Sequence, residues 1–394
     1  MILEIFLSLI LGLVCGTITG LLPGIHINLV ITFLLGLTFT NSLSLPLAIF
    51  IIALSFTHIL IDFIPTTLLG VPTEENYLSA QPAHRLVMQG KANQAINVAF
   101  LGVLMSIPLI IVLSPIYAFV LPSLFEFLQE IIPYLILLMS LYLIFQEDNI
   151  ISGILIFLLS GILGFFAFDL PVKEPLLPLL SGLFGLSAIF SSMFYNSTIP
   201  KQETTKTKIK LTRFLRPLSA SFFISPILSF FPGIGAGHIS LFSAQIINPS
   251  SKQFIFLNSI SSSLNMALSI IAAYSIQKTR TGTSAAILHL LSPISINILC
   301  ILILSIIISI IFAYKLGKLI CIPLISIYNK ISYGKISLIT AIFVILVNTF
   351  FTNSLGLIIL ASGTLIGLIC QKIGVRKIQM MGALLLSTLL YYFL

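Results

Sequence analysis

The chain has 394 residues, 58% of them hydrophobic and 8% charged, with a mean hydropathy of +1.17 and a formal net charge of +8. Soluble domains carry about 25% charged residues. Apolar runs of the ~20 residues needed to cross a hydrocarbon core recur along the whole sequence, which excludes a soluble globular fold. Ten-residue alternating segments are absent, so the spans are read as α-helices rather than barrel strands.

The first element, MILEIFLSLILGLVCGTITG, has no basic leading region and carries Glu4, so it is read as a retained span and not as a cleaved signal. It runs into LLPGIHINLV, Leu21 to Val30. Pro23 removes a backbone donor and Gly24 frees φ, so a helix should end or break there. A helix restarting after the break offers unpaired N–H groups and a partial positive charge to an anion, with His26 and Asn28 extending the polar lining. An ordinary turn between two spans is the competing reading.

The next apolar run, SFTHILIDFIPTT, holds Asp62 near His58. An intramembrane carboxylate is a functional candidate by default, here as a coupling-ion or proton site. A second interruption, IPTTLLGVPTEEN, spans Ile64 to Asn76 and brings Thr66 and Thr67. Glu74 and Glu75 open a polar segment read as surface, and Asp169, Lys173 and Glu174 surround Pro171 in what reads as a loop.

The most hydrophilic connector runs from Asn196 to Pro217, with Lys201, Lys206, Lys208, Lys210, Arg213 and Arg216 against Glu203 alone. By the positive-inside rule it is cytoplasmic. The basic loops Lys315 to Lys335 and Lys372 to Lys377 are separated by two apolar runs and fall on the same face. Dispersed basic residues without aromatic interleaving give no nucleic-acid face. No acid follows Glu203, so an anion crossing the second half meets no fixed negative side chain.

After the linker, FFPGIGAGHISLF, Phe230 to Phe242, repeats the Pro-Gly break with Pro232, Gly233, Gly235, Gly237 and His238. KTRTGTSAAILHLLSP, Lys278 to Pro293, is the second interruption of this half. Its Arg280, Thr281 and Thr283 combine a cation, hydroxyls and a flexible backbone, a donor set suited to an anion. Either histidine, His26 or His238, can relay protons, bond a solute or cap a helix.

Two polar breaks per half, in the same order, predict a duplicated unit: residues 1–195 and 217–394, joined by the linker 196–216. With an odd number of crossings in each half the copies are inverted. The predicted fold is an all-α polytopic membrane protein of about 10–12 helices, two of them broken or re-entrant at Pro-Gly. Cys15, Cys300, Cys321 and Cys370 are scattered and are read as packing residues. No metal or cofactor is expected.

GLLPGIHINL, TTLLGVPTEENYLSAQPAHRLVMQGKANQA and FFPGIGAGHISLF, in this order, resemble the TctA-like large membrane subunit of the tripartite tricarboxylate transporters, in its shorter archaeal branch. The resemblance implies an inverted-repeat secondary transporter of carboxylates in the cell membrane, driven by a proton or sodium gradient. Pro23, Gly24, Thr66, Thr67, Pro72, Pro232, Gly233 and Gly235 fall on its motif positions. It also implies a small membrane subunit and an extracytoplasmic binding protein as partners, and a homodimer is an allowed assembly. The sequence departs from the family at QKTRTGTSAA, where an apolar Gly-Pro-Gly-like loop is usual, and at Asp62, where a small residue is common. The leading expectation is a permease for a small organic anion, a di- or tricarboxylate. The alternative is a translocase of a lipid-linked phosphate or another amphiphilic anion. No H-E-x-x-H pair or G-x-S-x-G turn points to an enzyme.

Overall fold

The computed structural model describes residues 2–22, 27, 31, 44–69, 80–172, 174–194, 200–204, 209–231, 234–330 and 333–393. These form helices and no strand. Before the linker come α1 (Ile2–Leu21), α2 (Ser44–Leu69), α3 (Ala80–Val87), α4 (Ala92–Leu128), α5 (Ile132–Phe145), α6 (Ile150–Asp169) and α7. The last is continuous through Leu176–Leu180, a π segment Ser181–Leu186, and Ser187–Phe194. After it come α8 (Leu215–Leu228), α9 (Ala236–Ile247), α10 (Ser251–Ile276), α11 (Gly282–Leu291), α12 (Ile296–Tyr328), α13 (Tyr333–Phe351), α14 (Ser354–Lys372) and α15 (Gly382–Phe393). Seven of the described helices are long and apolar enough to span a membrane, and several shorter apolar ones accompany them. The protein is a polytopic helical membrane protein.

Two 26-residue helices, α2 and α10, form the centre, each buried over most of its length. Beside α2 lies α1, in parallel register. Its glycines at four-residue spacing, Gly12, Gly16 and Gly20, let the backbones touch: a methyl group there would come within 2.5, 2.5 and 2.9 Å of the carbonyl oxygens of Phe50, Leu54 and His58. Small-residue faces of this kind hold helices together in lipid, where apolar contact alone gives no preference for protein over tails. The opposite face of α1, with Leu3, Phe6, Leu7, Val14 and Ile18, is exposed, as suits lipid.

The long helix α4 runs parallel to α10. Lys252 Nζ donates to Gln94 Oε1 at 2.7 Å, and further along Ser106 and Ser263 share a hydroxyl bond of 2.8 Å. The other long helix, α12, runs the opposite way to α4: Cys321, near its end, lies 3.7 Å from Oδ1 of Asn93, at the start of α4. Pro108, Pro115 and Pro122 lie inside α4.

The linker reports the same orientation through one residue. Gln202 is 3% exposed; its Oε1 accepts from Ala92 N at 3.0 Å, and its Nε2 donates to the carbonyls of Val87 at 2.9 Å and Pro200 at 2.6 Å. Its backbone N–H donates to Asn329 Oδ1 at 2.9 Å, and its carbonyl accepts from Asn329 Nδ2 at 3.2 Å. The first residue of α4 and the residue closing α12 therefore meet at the linker.

The last helix of each side packs across the molecule: α15 lies on α6, and α7 lies on α14. Glycines make both contacts close. Gly164 faces Ala383, Gly382 faces the Phe157 carbonyl, and Gly367 faces Leu183 and Ser187. Where α6 begins, Glu147 Oε1 accepts from Arg376 Nε at 2.8 Å and from Gln379 Nε2 at 2.9 Å. In the Pro171 loop the Pro171 carbonyl accepts from Asn353 Nδ2 at 2.6 Å; Lys173 lies outside the described residues.

Candidate functional site

Helices α8 and α9 pack together as a hairpin on either side of the second Pro-Gly segment. Its legs, α8 with 14 residues and α9 with 12, reach roughly 21 and 18 Å at 1.5 Å per residue, short of a ~30 Å hydrocarbon core. Both feet stand at the linker face: Gln253 Nε2, in the first turn of α10 and just beyond α9, donates to the Arg213 carbonyl just ahead of α8 at 2.8 Å. The described residues at this end of the hairpin are buried, with Phe230, Phe231 and Ile234 at 2%, 6% and 5% exposure. Pro232 and Gly233 lie outside the described residues. Gly235 occupies the N-cap position of α9, and Gly237 and His238 lie in its first turn. The Gly235 N–H donates to His238 Nδ1 at 3.4 Å. An accepting Nδ1 places the ring proton of a neutral imidazole on Nε2, and that atom is buried without a partner.

A second dip meets the first. Beyond α10, Gln277 turns the chain at φ 53°, and the chain doubles back until Arg280 N donates to Ser269 Oγ at 2.9 Å, two turns before the helix end. The short helix α11 starts there. Thr281 Oγ1 caps it by accepting from Ser284 N at 3.2 Å, Ser284 and Ser269 share a hydroxyl bond of 2.7 Å, and Thr283 Oγ1 lies 3.0 Å from Ser55 Oγ on α2. Both predicted threonine hydroxyls are thus engaged in fixing α11 between α2 and α10. Of this turn's backbone N–H groups, those of Arg280, Thr281 and Ser284 are engaged, which leaves those of Gly282 and Thr283 for a solute.

Arg280 joins the two dips. Its Nε donates to the Phe230 carbonyl at 2.8 Å, and its Cζ lies 5.9 Å from the Phe230 ring centroid. Its Nη groups bond to nothing, and it has no ion pair, among the described residues. A partly buried guanidinium with four such N–H donors is suited to hold a carboxylate or phosphate.

The remaining predicted residues lie on α2. His58, Asp62 and Thr66 follow at four-residue steps and share a helix face. Thr66 Oγ1 donates to Asp62 Oδ1 at 3.2 Å, and His58 Nδ1 lies 3.1 Å from Thr19 Oγ1 on α1. Thr19 lies in the last turn of α1, so this row stands near the end of that helix. Pro23, Gly24, His26, Asn28 and Pro72 lie outside the described residues. One boundary is corrected: α2 continues through Pro65 to Leu69, so Thr66 and Thr67 belong to a helix and not to an interruption. Proline is tolerated inside membrane helices where neighbouring polar groups offset the lost backbone bond.

A polar row on α10 is absent from the sequence expectations. Asn258, Ser261, Ser262, Asn265 and Ser269 recur at i, i+3, i+4, i+7 and i+11, one face of a helix, and all are buried. Counted from the helix starts, Ser262, Asn265 and Ser269 occupy the positions that Ser55, His58 and Asp62 occupy on α2. Ser261 Oγ and Asn265 Oδ1 lack partners, as do Ser225 and Ser229 Oγ at the end of α8 and His238 Nε2 and Ser243 Oγ on α9. The three helices pack together. Each buried unpaired polar atom costs about 1–3 kcal/mol, so their concentration here favours a polar guest. Among the described residues no group of three or more His, Cys, Asp or Glu side chains could hold a metal ion.

The chain is 32% identical over 368 residues to an uncharacterized protein of Methanocaldococcus jannaschii, covering 87% of this chain and 88% of that protein. No solved structure matches. The family model described as the tripartite tricarboxylate transporter TctA family matches residues 6–382. With that match over nearly the whole chain, this multi-pass membrane protein belongs to the tripartite tricarboxylate transporter TctA family.

Proposed function

We propose that this protein is a secondary transporter of a small organic anion, a di- or tricarboxylate, coupled to a proton or sodium gradient through alternating access. The family gives the transporter class. The observation that carries the anion is Arg280, lodged where two re-entrant segments meet, without a carboxylate partner among the described residues. The apolar surroundings make an unpaired charge costly, and a carboxylate substrate offsets that cost.

The transport cycle follows from two inverted repeats, 1–195 and 217–394. Supporting this, α1–α7 and α8–α15 pair off in order and approximate length around one hairpin leg, α9. The counterparts α4 and α12 run in opposite directions. In such folds one repeat rocks against the other around a central site. His58 and Asp62 are the proposed coupling pair, since protonation of either, or sodium held at the Asp62 carboxylate, changes the charge of the α2 row. His238, Gly235, Gly237 and the first turn of α11 complete the proposed substrate lining, with Pro232 and Gly233 at the turn and Pro23, Gly24, His26 and Asn28 as its first-half equivalents. A small membrane subunit and an extracytoplasmic binding protein are the proposed partners.

The test is uptake of radiolabelled citrate and succinate into proteoliposomes under imposed proton or sodium gradients. Gradient-dependent uptake that falls at least tenfold in Arg280→Lys is the expected result, because lysine keeps the charge and loses the two-pronged geometry. Uptake indifferent to both gradients, or scrambling of a lipid phosphate without carboxylate uptake, would refute the proposal.

A further inference from the structure

Tyr117 lies in α4, on the other side of the linker from Arg280. Its side chain is 95% buried, its exposure being 5%, and its hydroxyl has no hydrogen-bond partner. Buried phenols in apolar surroundings normally find a partner, so an unused hydroxyl here calls for a function. The setting supplies one. Phe125, two turns further along α4, meets the Phe230 ring edge-on at 5.8 Å, and Arg280 lies against that same ring at 5.9 Å. The tyrosine-bearing helix, the Pro-Gly turn and the arginine thus share one aromatic wall. Because α4 runs parallel to α10 with Ser106 bonded to Ser263, Tyr117 stands level with Tyr274, close to where the chain beyond α10 turns back and Arg280 N bonds Ser269.

We infer that Tyr117 is a substrate-binding residue whose hydroxyl donates to the anionic oxygen held by the Arg280 Nη groups. The inference rests on the transport reading above and adds a donor from α4 to the part of the site that Arg280 supplies. A carboxylate fits this pair because it accepts two N–H bonds from the guanidinium and one O–H bond on a remaining lone pair. The occupied site then ties α4 to α11, so the anion itself links the two halves.

The test uses purified full-length protein with radiolabelled citrate as the probe and inorganic phosphate as competitor. Tyr117→Phe removes only the hydroxyl. Loss of a hydrogen bond to a charged group is expected to weaken citrate binding about 10- to 100-fold. The melting temperature without citrate should hold or rise, because an unpaired buried polar atom is removed. In an Arg280→Gln background the same change should have little further effect, the mark of two groups acting on one ligand. Unchanged citrate affinity in Tyr117→Phe would overturn the inference and leave the transport reading intact. A lower melting temperature of the citrate-free variant would also overturn it, by exposing a structural partner of the hydroxyl. Phosphate binding that is lost in Tyr117→Phe, without citrate binding, would support the residue pair and overturn the carboxylate. Failure of the wild-type protein to bind either anion would overturn the transport reading itself.

Discussion

Replacing Gly16 by alanine tests how α1 is coupled to the polar row of α2. The added methyl would stand 2.5 Å from the Leu54 carbonyl oxygen, 2.8 Å from Thr57 Cβ and 3.0 Å from Leu54 Cα. Two of the three obstacles are backbone atoms, so no side-chain rotation relieves the clash. Restoring ordinary contact at ~3.5 Å requires the helices to part by roughly 1 Å. Overpacking of this kind costs about 1–3 kcal/mol. The same displacement carries the His58–Thr19 contact from 3.1 Å to about 4 Å, beyond hydrogen-bond range. Gly16→Ala should therefore lower the melting temperature in detergent and also weaken the dependence of uptake on the imposed ion gradient. Gly374→Ala has open space around it but a φ of +78°, so it should cost stability alone, through backbone strain. A Gly16→Ala protein with wild-type melting and wild-type coupling would refute the proposed role of the α1–α2 contact.

Gln202→Ala removes three side-chain hydrogen bonds and leaves Ala92 N without its partner, while Val87 O keeps the Gly90 N–H. The cost is about 1–3 kcal/mol per buried group, seen as faster amide exchange at residues 87–92 while the centre of α4 stays protected. Glu147→Gln removes the charge facing Arg376. Because Arg376 is 38% exposed, the loss is discounted from the value of a fully buried pair to about 1–2 kcal/mol, measurable by thermal unfolding. Ser261→Ala and Asn265→Leu delete polar atoms that lack partners. They should hold or raise stability by up to ~1 kcal/mol each while reducing carboxylate uptake, and a loss of stability would mean these atoms are structurally paired.

Spans, the basic linker and the break at Phe230 to Gly235 were legible because each rests on local chemistry: apolar length, charge, and the missing donor of proline. Arg280 was legible as a cation among hydroxyls, although its contact with Phe230 is a tertiary event. The α2 boundary was misjudged because Pro65 and paired threonines resemble a break, whereas surrounding protein lets the helix continue. The α10 row was hidden for another reason. Serine and asparagine lower the apolar signal only slightly, and their spacing is recognisable as a face only once the segment is known to be one straight helix. Gln202, Glu147 and Arg376 gave no local signal, since their partners lie more than a hundred residues away.

The crossing of α7 onto α14 and of α15 onto α6 bears on how the molecule is made. When the ribosome has finished the linker, the glycine-lined flanks of α6 and α7 still lack the neighbours that will cover them, and those neighbours are synthesised only later. Severing the polypeptide at the linker would leave two fragments, each with a bare seam shaped for the other, so their stable accumulation should require co-expression.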